Sequence, residues 1–200
     1  MRKFDLKKII RNTPNRTPLN YSVLENFEKF ALEIGCGTGL HSINFAKKNP
    51  HTFIIAIEKT VERFGKFTKQ NKLNCLTNIL PVHAHAVSWV AHNFRQPLFD
   101  DIFILYPNPN PKPGDLNKRW YAMSFFDHLL NITLPGGRVI IRTNEKFYAE
   151  EAAHFFEYEW NLDCKTQPVK LTNIEDAKTL FEKKYLERGQ TCYEIIGTKK

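Results

Sequence analysis

Apolar and polar positions alternate along this chain in two rhythms. Short runs of branched and aromatic residues are separated by stretches whose apolar positions recur at helical spacing. The runs ALEI (31–34), TFIIAIE (52–58), NILPVHA (78–84), DDIFILY (100–106) and GRVIIRT (137–143) predict five buried strands. Between them, residues 40–48, 60–72, 86–93, 119–132 and 145–158 predict helices, and residues 21–29 predict a short helix leading into the first strand. The remainder predicts a strand near 162–168, a helix at 174–185 and a strand at 191–197. Strands alternating with helices of this length imply crossover units and a mostly parallel, doubly wound α/β sheet. The last two strands are expected to form an antiparallel edge.

The 200 residues fit one domain, with residues 1–20 as a basic N-terminal arm and 21–200 as the folded unit. The arm carries Arg2, Lys3, Lys7, Lys8, Arg11 and Arg16 against Asp5 alone, and Pro14 and Pro18 discourage a continuous helix there. Two readings stand: a solvated arm, or one that folds onto phosphate. Lys and Arg number 29 against 21 Asp and Glu, a formal net charge of +8, which favours an anionic partner. Four cysteines without a CxxC motif indicate neither a zinc site nor a disulfide scaffold, and suit a reducing compartment. Asp5, Lys7 and Lys8 interrupt any apolar run at the start, and no apolar stretch is long enough to span a membrane. The expectation is a cytoplasmic protein, monomeric or weakly dimeric, without a metal.

The first predicted strand runs into Glu33-Ile34-Gly35-Cys36-Gly37-Thr38-Gly39 and then a helix. Glycines there permit a tight turn and close approach of backbone to ligand. The spacing is GxGxG with Leu40 following, whereas a pyrophosphate-binding loop places its third glycine one position later. Glu33, just before the loop, is poorly suited to phosphate and well suited to an ammonium group. Glu58 closes the second strand, where a carboxylate can accept both hydroxyls of a ribose. Glu33, Gly35, Gly37, Gly39 and Glu58 together describe a nucleoside cofactor with a positive group and no phosphate, S-adenosylmethionine. His85, past the third strand, falls where the adenine edge is expected; it either accepts or stacks there or merely packs, and His83 is a weaker candidate.

The fourth strand ends in Tyr106-Pro107-Asn108-Pro109-Asn110-Pro111-Lys112-Pro113. Alternating prolines stiffen this loop and present Asn108 with little entropy loss. Asn117-Lys118-Arg119-Trp120 follows, placing cations beside an aromatic as phosphate contacts and a stacking surface; Trp120 fits either a platform or the core.

With these motifs in order, the chain resembles the bacterial tRNA (guanine-N7)-methyltransferases from about residue 11 onward. That family's pattern runs F-P-D-P-W-P-K, a basic K-R-R, a strand ending in T-D, and T-x-F-E-x-[KR] before a glycine. Here the blocks read Y-P-N-P-N-P-K at 106–112, N-K-R at 117–119, Thr143-Asn144, and Thr179-Leu180-Phe181-Glu182-Lys183-Lys184 before Gly189. The resemblance implies a Rossmann-like class I methyltransferase fold, S-adenosylmethionine as donor, and methylation of a guanine in the variable region of tRNA. It implies Asn108 as the catalytic-loop residue, with Lys112, Asn144, Thr179 and Glu182 binding substrate or loop and Lys184 near backbone phosphate. Arg142 and Lys146 flank Asn144 as basic rim or as ordinary solvated charge.

Three positions depart from the family: His85, Asn108 and Asn144 stand where it has Asp. Guanine N7 has a free lone pair, so its methylation needs alignment rather than a general base. A carboxylate matches the N1–H and N2–H donors of guanine; an amide matches that edge less well and suits an adenine edge better. The poorer match costs on the order of 1–3 kcal/mol. Two further readings therefore stand beside tRNA guanine-N7 methylation: transfer to another RNA base or a small molecule, and a non-catalytic RNA-binding module that keeps the fold.

Overall fold

The computed structural model describes residues 3–12 and 18–200. Seven strands form one sheet: β1 (Lys29–Ile34), β2 (Thr52–Glu58), β3 (Ile79–His83), β4 (Phe99–Leu105), β5 (Thr133–Thr143), β6 (Asp163–Pro168) and β7 (Tyr193–Thr198). Their order is β3-β2-β1-β4-β5-β7-β6. β1 to β5 are parallel, and β7 runs antiparallel between β5 and β6, so the expected antiparallel edge is present. Strand order reverses between β1 and β4, and loops leaving the carboxyl ends of these two strands flank the crevice where such sheets bind ligands.

Helices α2 (Leu40–Lys48), α3 (Val61–Asn74), α4 (Ala86–Asn93), α5 (Phe125–Ile132), α6 (Lys146–His154) and α7 (Leu180–Glu187) accompany the strands, and α1 (Leu6–Asn12) precedes them. Strand residues alternate between two apolar layers. Leu32, Ile55, Ile57, Ile102, Ile104, Val139 and Ile141 share one core with α4, α5 and α6. Ala31, Ile54, Ala56, Phe103, Leu105 and Ile140 share the other with Ile43 and Ala46 of α2 and Phe67 of α3. Pro81 lies inside β3, which tolerates it as an edge strand.

Several boundaries differ from the sequence-based expectations. Residues 21–29 hold a 3₁₀ turn (Tyr21–Asn26) capped by Asn20. The helix expected at 119–132 starts at Phe125, because Trp120–Ala122 form a separate 3₁₀ turn tied to the preceding loop. β5 starts at Thr133, and its pairing with β4 shifts register at Pro135-Gly136-Gly137. The helix expected at 174–185 begins at Leu180, where the Thr179 hydroxyl caps the Glu182 N–H at 3.0 Å. Within the described part of the basic arm, Phe4 lies 5.3 Å from the Phe125 ring and stacks on His128, and Leu19 is buried with its N–H on Asn93 Oδ1. The arm is therefore anchored at both of these points. Arg2, Pro14 and Arg16 lie outside the described residues.

Candidate functional site

The glycine loop leaves β1 with Gly35, Gly37 and Gly39 all at positive φ. Gly39 has a second constraint: a Cβ there would meet Phe67 Cδ2 at 2.0 Å, so only glycine lets α2 start this close to α3. A Cβ on Gly35 would meet nothing within 4 Å, because that backbone faces open cleft. Glu58 is 4% exposed, and its two oxygens accept from the N–H of Gly37 (3.0 Å) and of Thr60 (2.6 Å). It thus ties the loop to the end of β2. A carboxylate offers about four acceptor sites, so acceptors remain for two hydroxyls. Glu33 is 1% exposed; its Oε2 accepts from Ser42 Oγ and lies 3.0 Å from His41 Nδ1. Among the described residues Oε1 carries no hydrogen bond, and Glu33 lines the cleft.

The cleft comprises two adjoining cavities. One, of about 280 Å³, runs over Glu33, the glycine loop and the start of α7. The other, of about 270 Å³, lies over Glu58, His85, Asn108 and Trp120. Gly35, Arg63, Leu105 and Tyr106 line both and mark where they meet. Burial, helped by Lys59, lowers the His85 pKa, so the ring there is neutral. Burial and the two nearby carboxylates push the Cys36 thiol well up, which keeps this cleft sulfur protonated and a poor nucleophile. His83 packs on Phe64 with Nε2 3.1 Å from the Lys59 carbonyl, a structural arrangement outside both cavities.

The loop after β4 is held from within. Asn108 is exposed, and its Oδ1 accepts the Asn110 N–H at 3.2 Å. Arg119 is not the surface cation its sequence neighbours suggest. It is buried, donates to the Asn110, Pro111 and Lys112 carbonyls, pairs with Glu151, and lies over the Phe147 ring. Lys118 pairs with Asp115 at 2.8 Å, whereas Lys112 is exposed with its ammonium free of described partners. Trp120 lines the Glu58 cavity, and its ring meets Phe125 edge-on at 6.2 Å.

The segment before and within α7 closes the other side. Thr179 lines the Glu33 cavity and caps the helix. Glu182, expected as a substrate or loop contact, is wholly buried. It accepts from Arg142 Nη1 (2.8 and 3.0 Å), from Tyr106 OH (2.9 Å) and from the Lys178 N–H (3.0 Å). Its place is therefore under the loop. Arg142 is likewise no rim cation: it is buried and also pairs with Glu194 (2.6 Å), and these two carboxylates outweigh the effect of burial and hold it charged. Burial beside Glu182 raises the Tyr106 pKa, so its hydroxyl remains a donor. Lys146 pairs with Glu150, and Asn144 is bonded to Glu145 at 3.1 Å, outside both cavities. Arg63 and Lys184 supply cations to the cleft. Sequence reasoning missed Arg63, which lines both cavities, and it named Tyr106 and Arg142 without the buried Glu182 contact that joins them. The positive φ of Tyr106, 51°, is invisible in its residue type.

A buried acid after β1, an open glycine cradle, and a second acid tethering the loop at the end of β2 are a donor and acceptor set that suits S-adenosylmethionine. The fold and this site define a class I S-adenosylmethionine-dependent methyltransferase. The sequence profile of the family described as "putative methyltransferase" matches residues 28–195, and the chain belongs to that family. Among its relatives is a "tRNA (guanine-N(7)-)-methyltransferase" of Nitrosomonas eutropha, 27% identical over 84% of this chain and 75% of the relative. A protein of the same description from Thermotoga maritima is 26% identical over 98% of this chain, which spans 62% of that relative's length. The fold is similar to that of the 16S rRNA methyltransferase KamB (TM-score 0.68, 14% identity, 88% of this chain and 90% of that one). It is also similar to precorrin-6y C5,15-methyltransferase from Geobacter metallireducens (TM-score 0.62, 18% identity, 90% and 85%). No helix among the described residues is long and apolar enough to cross a membrane.

Proposed function

We propose that this protein methylates N7 of a guanine in tRNA. The observation that carries this reading is the meeting of the two cavities at Leu105 and Tyr106, which brings the loop bearing Asn108 over the cofactor groove. The relatives' activity supports the choice of acceptor, and the net charge of +8 suits a polyanion. S-adenosylmethionine, when bound, supplies an electrophilic methyl group. Glu58 accepts the ribose hydroxyls, Glu33 Oε1 faces the ammonium, and neutral His85 sits at the adenine edge. Nothing needs to remove a proton from N7, so the absence of a carboxylate at Asn108 leaves the chemistry intact and changes only how the base is held. Lys112, Lys184 and Arg63 form the phosphate-facing rim, and Thr179 closes the cleft. Glu182 acts through Tyr106. Asn144 lies outside both cavities, bonded to Glu145 and Gln190, so a substrate contact there would be to RNA beyond the cleft.

Mass spectrometry of an undermodified tRNA after incubation with enzyme and S-adenosylmethionine tests this, with 7-methylguanosine as the expected product. An unchanged tRNA in the presence of folded, cofactor-binding enzyme would refute it. The neutral residues at His85, Asn108 and Asn144 favour a second reading, transfer to a different RNA base or a small nucleophile. Parallel incubations with rRNA fragments and small acceptors separate the two.

A further inference from the structure

The Asn108 amide is polarised by its own loop. Its Oδ1 is turned back onto the Asn110 N–H. Asn110 is fixed in turn: its φ is 46°, its Nδ2 donates to the Asn108 carbonyl (3.1 Å) and the Lys118 carbonyl (3.3 Å), and its own carbonyl accepts from Arg119 Nε (3.1 Å). Exchanging the oxygen and nitrogen of Asn108 would set two donors against each other, so the loop selects one orientation. Nδ2 has no bond to a described residue, and Asn108 lines the cavity shared with Glu58, His85 and Trp120. A carboxylate at this position would make the same turn but present an acceptor to the cleft; the amide presents a donor.

We infer that Asn108 is the residue that reads the acceptor base, donating through Nδ2 to the O6 of guanine. This inference rests on the guanine-N7 reading and deepens it. The edge of guanine that carries N7 offers two acceptors, N7 and O6, whereas the same edge of adenine carries N7 and an N6 donor. A donor bonded to O6 places N7 toward the methyl group while leaving the N7 lone pair free. Adenine would oppose its N6–H₂ to the Nδ2–H of Asn108, an unpaired clash of donors. The amide therefore does not suit an adenine here, contrary to the expectation from its type. It reads guanine from the reacting side and leaves N1–H and N2–H uninspected.

The test uses tRNA carrying, at the methylated position, guanine, 6-thioguanine (a weak acceptor in place of O6) or hypoxanthine (no N2 amine). Wild-type kcat/KM should fall roughly tenfold or more with 6-thioguanine and stay within about threefold with hypoxanthine. In Asn108→Ala the 6-thioguanine penalty should shrink to about threefold or less, because the donor is gone. Asn108→Asp keeps the turn to Asn110 and should lose the same discrimination, which guards against a merely unfolded Ala variant; thermal unfolding checks both. A larger penalty for hypoxanthine than for 6-thioguanine, or a 6-thioguanine penalty unchanged in both variants, would overturn the inference while leaving the enzyme a guanine-N7 methyltransferase. No 7-methylguanosine in the parent tRNA would remove that reading, and this inference with it.

Discussion

Removing the Glu182 side chain tests whether the buried network beneath the cleft holds the site together. Glu182→Ala strips two hydrogen bonds from Arg142, one from the Tyr106 hydroxyl and one from the Lys178 N–H, at a position with no solvent exposure. Arg142 is buried and Tyr106 half-buried, so water replaces these bonds poorly. Arg142 keeps Glu194 as a partner but shares it with Lys178, so two cations are left with one carboxylate. Breaking a buried pair from one side costs about 3–5 kcal/mol. For a chain of this size each kcal/mol lowers Tm by about 2–4 °C, so the expected drop is roughly 6–20 °C. Glu182→Gln is the informative companion. Its Oε1 can still accept from Arg142 and the Lys178 N–H, and its Nε2 can face Tyr106, whose hydroxyl can reverse to accept. The expected cost is then about 1–3 kcal/mol. Urea unfolding followed by tryptophan fluorescence and circular dichroism gives both values. An Ala variant within about 1 kcal/mol of wild type, or a Gln variant less stable than Ala, would refute the reasoning. Activity should fall in the same order, because Tyr106 is the floor on which the Asn108 loop rests.

The glycine loop yields a paired prediction. Gly39→Ala places a Cβ 2.0 Å from Phe67 Cδ2 at a φ of +80° and should cost about 2–4 kcal/mol, whereas Gly65→Ala in α3, where a Cβ meets nothing, should stabilise by about 0.5–1 kcal/mol; thermal unfolding of the two compares them. Glu58→Gln should weaken S-adenosylhomocysteine binding roughly tenfold by calorimetry, and an unchanged affinity would remove Glu58 from the ribose site. Burial pushes the Glu194 carboxyl up, but Arg142 and Lys178 outweigh it and leave it below its ordinary value of 4.5. A depressed folded pKa means that the stabilisation is present above that value and is lost as pH falls through the folded one. The Tm gap between wild type and Glu194→Gln should therefore narrow on acidification below about pH 4.5; a gap that widens contradicts this. Arg63→Ala and Lys184→Ala should each weaken tRNA binding and reduce the salt dependence of log K by about one unit, read by titration at several salt concentrations; an unchanged slope contradicts this.

Much of this fold was legible along the chain. Residues 40–48, 52–58 and 86–93 form the expected elements, because helical and strand periodicity are properties of neighbouring residues in a two-layered sheet. The cleft proposed for the cofactor was equally local: Glu33, three glycines and Glu58 lie within one crossover unit, and a turn that demands positive φ leaves glycine as its signature. The second loop announced its stiffness through its prolines, but not the direction of its amide, which Asn110 sets.

What only the tertiary structure decided is which charges are wet. Arg119 and Arg142 look like rim cations in sequence, yet each is buried because a carboxylate distant along the chain, Glu151 for one and Glu182 with Glu194 for the other, folds against it. Lys112 and Lys184, chemically similar in a one-dimensional reading, meet no such acid and stay exposed. The difference is physical: periodicity and turn chemistry act over a few residues, whereas the cost of burying a guanidinium is met only by a partner that topology delivers from another strand or helix.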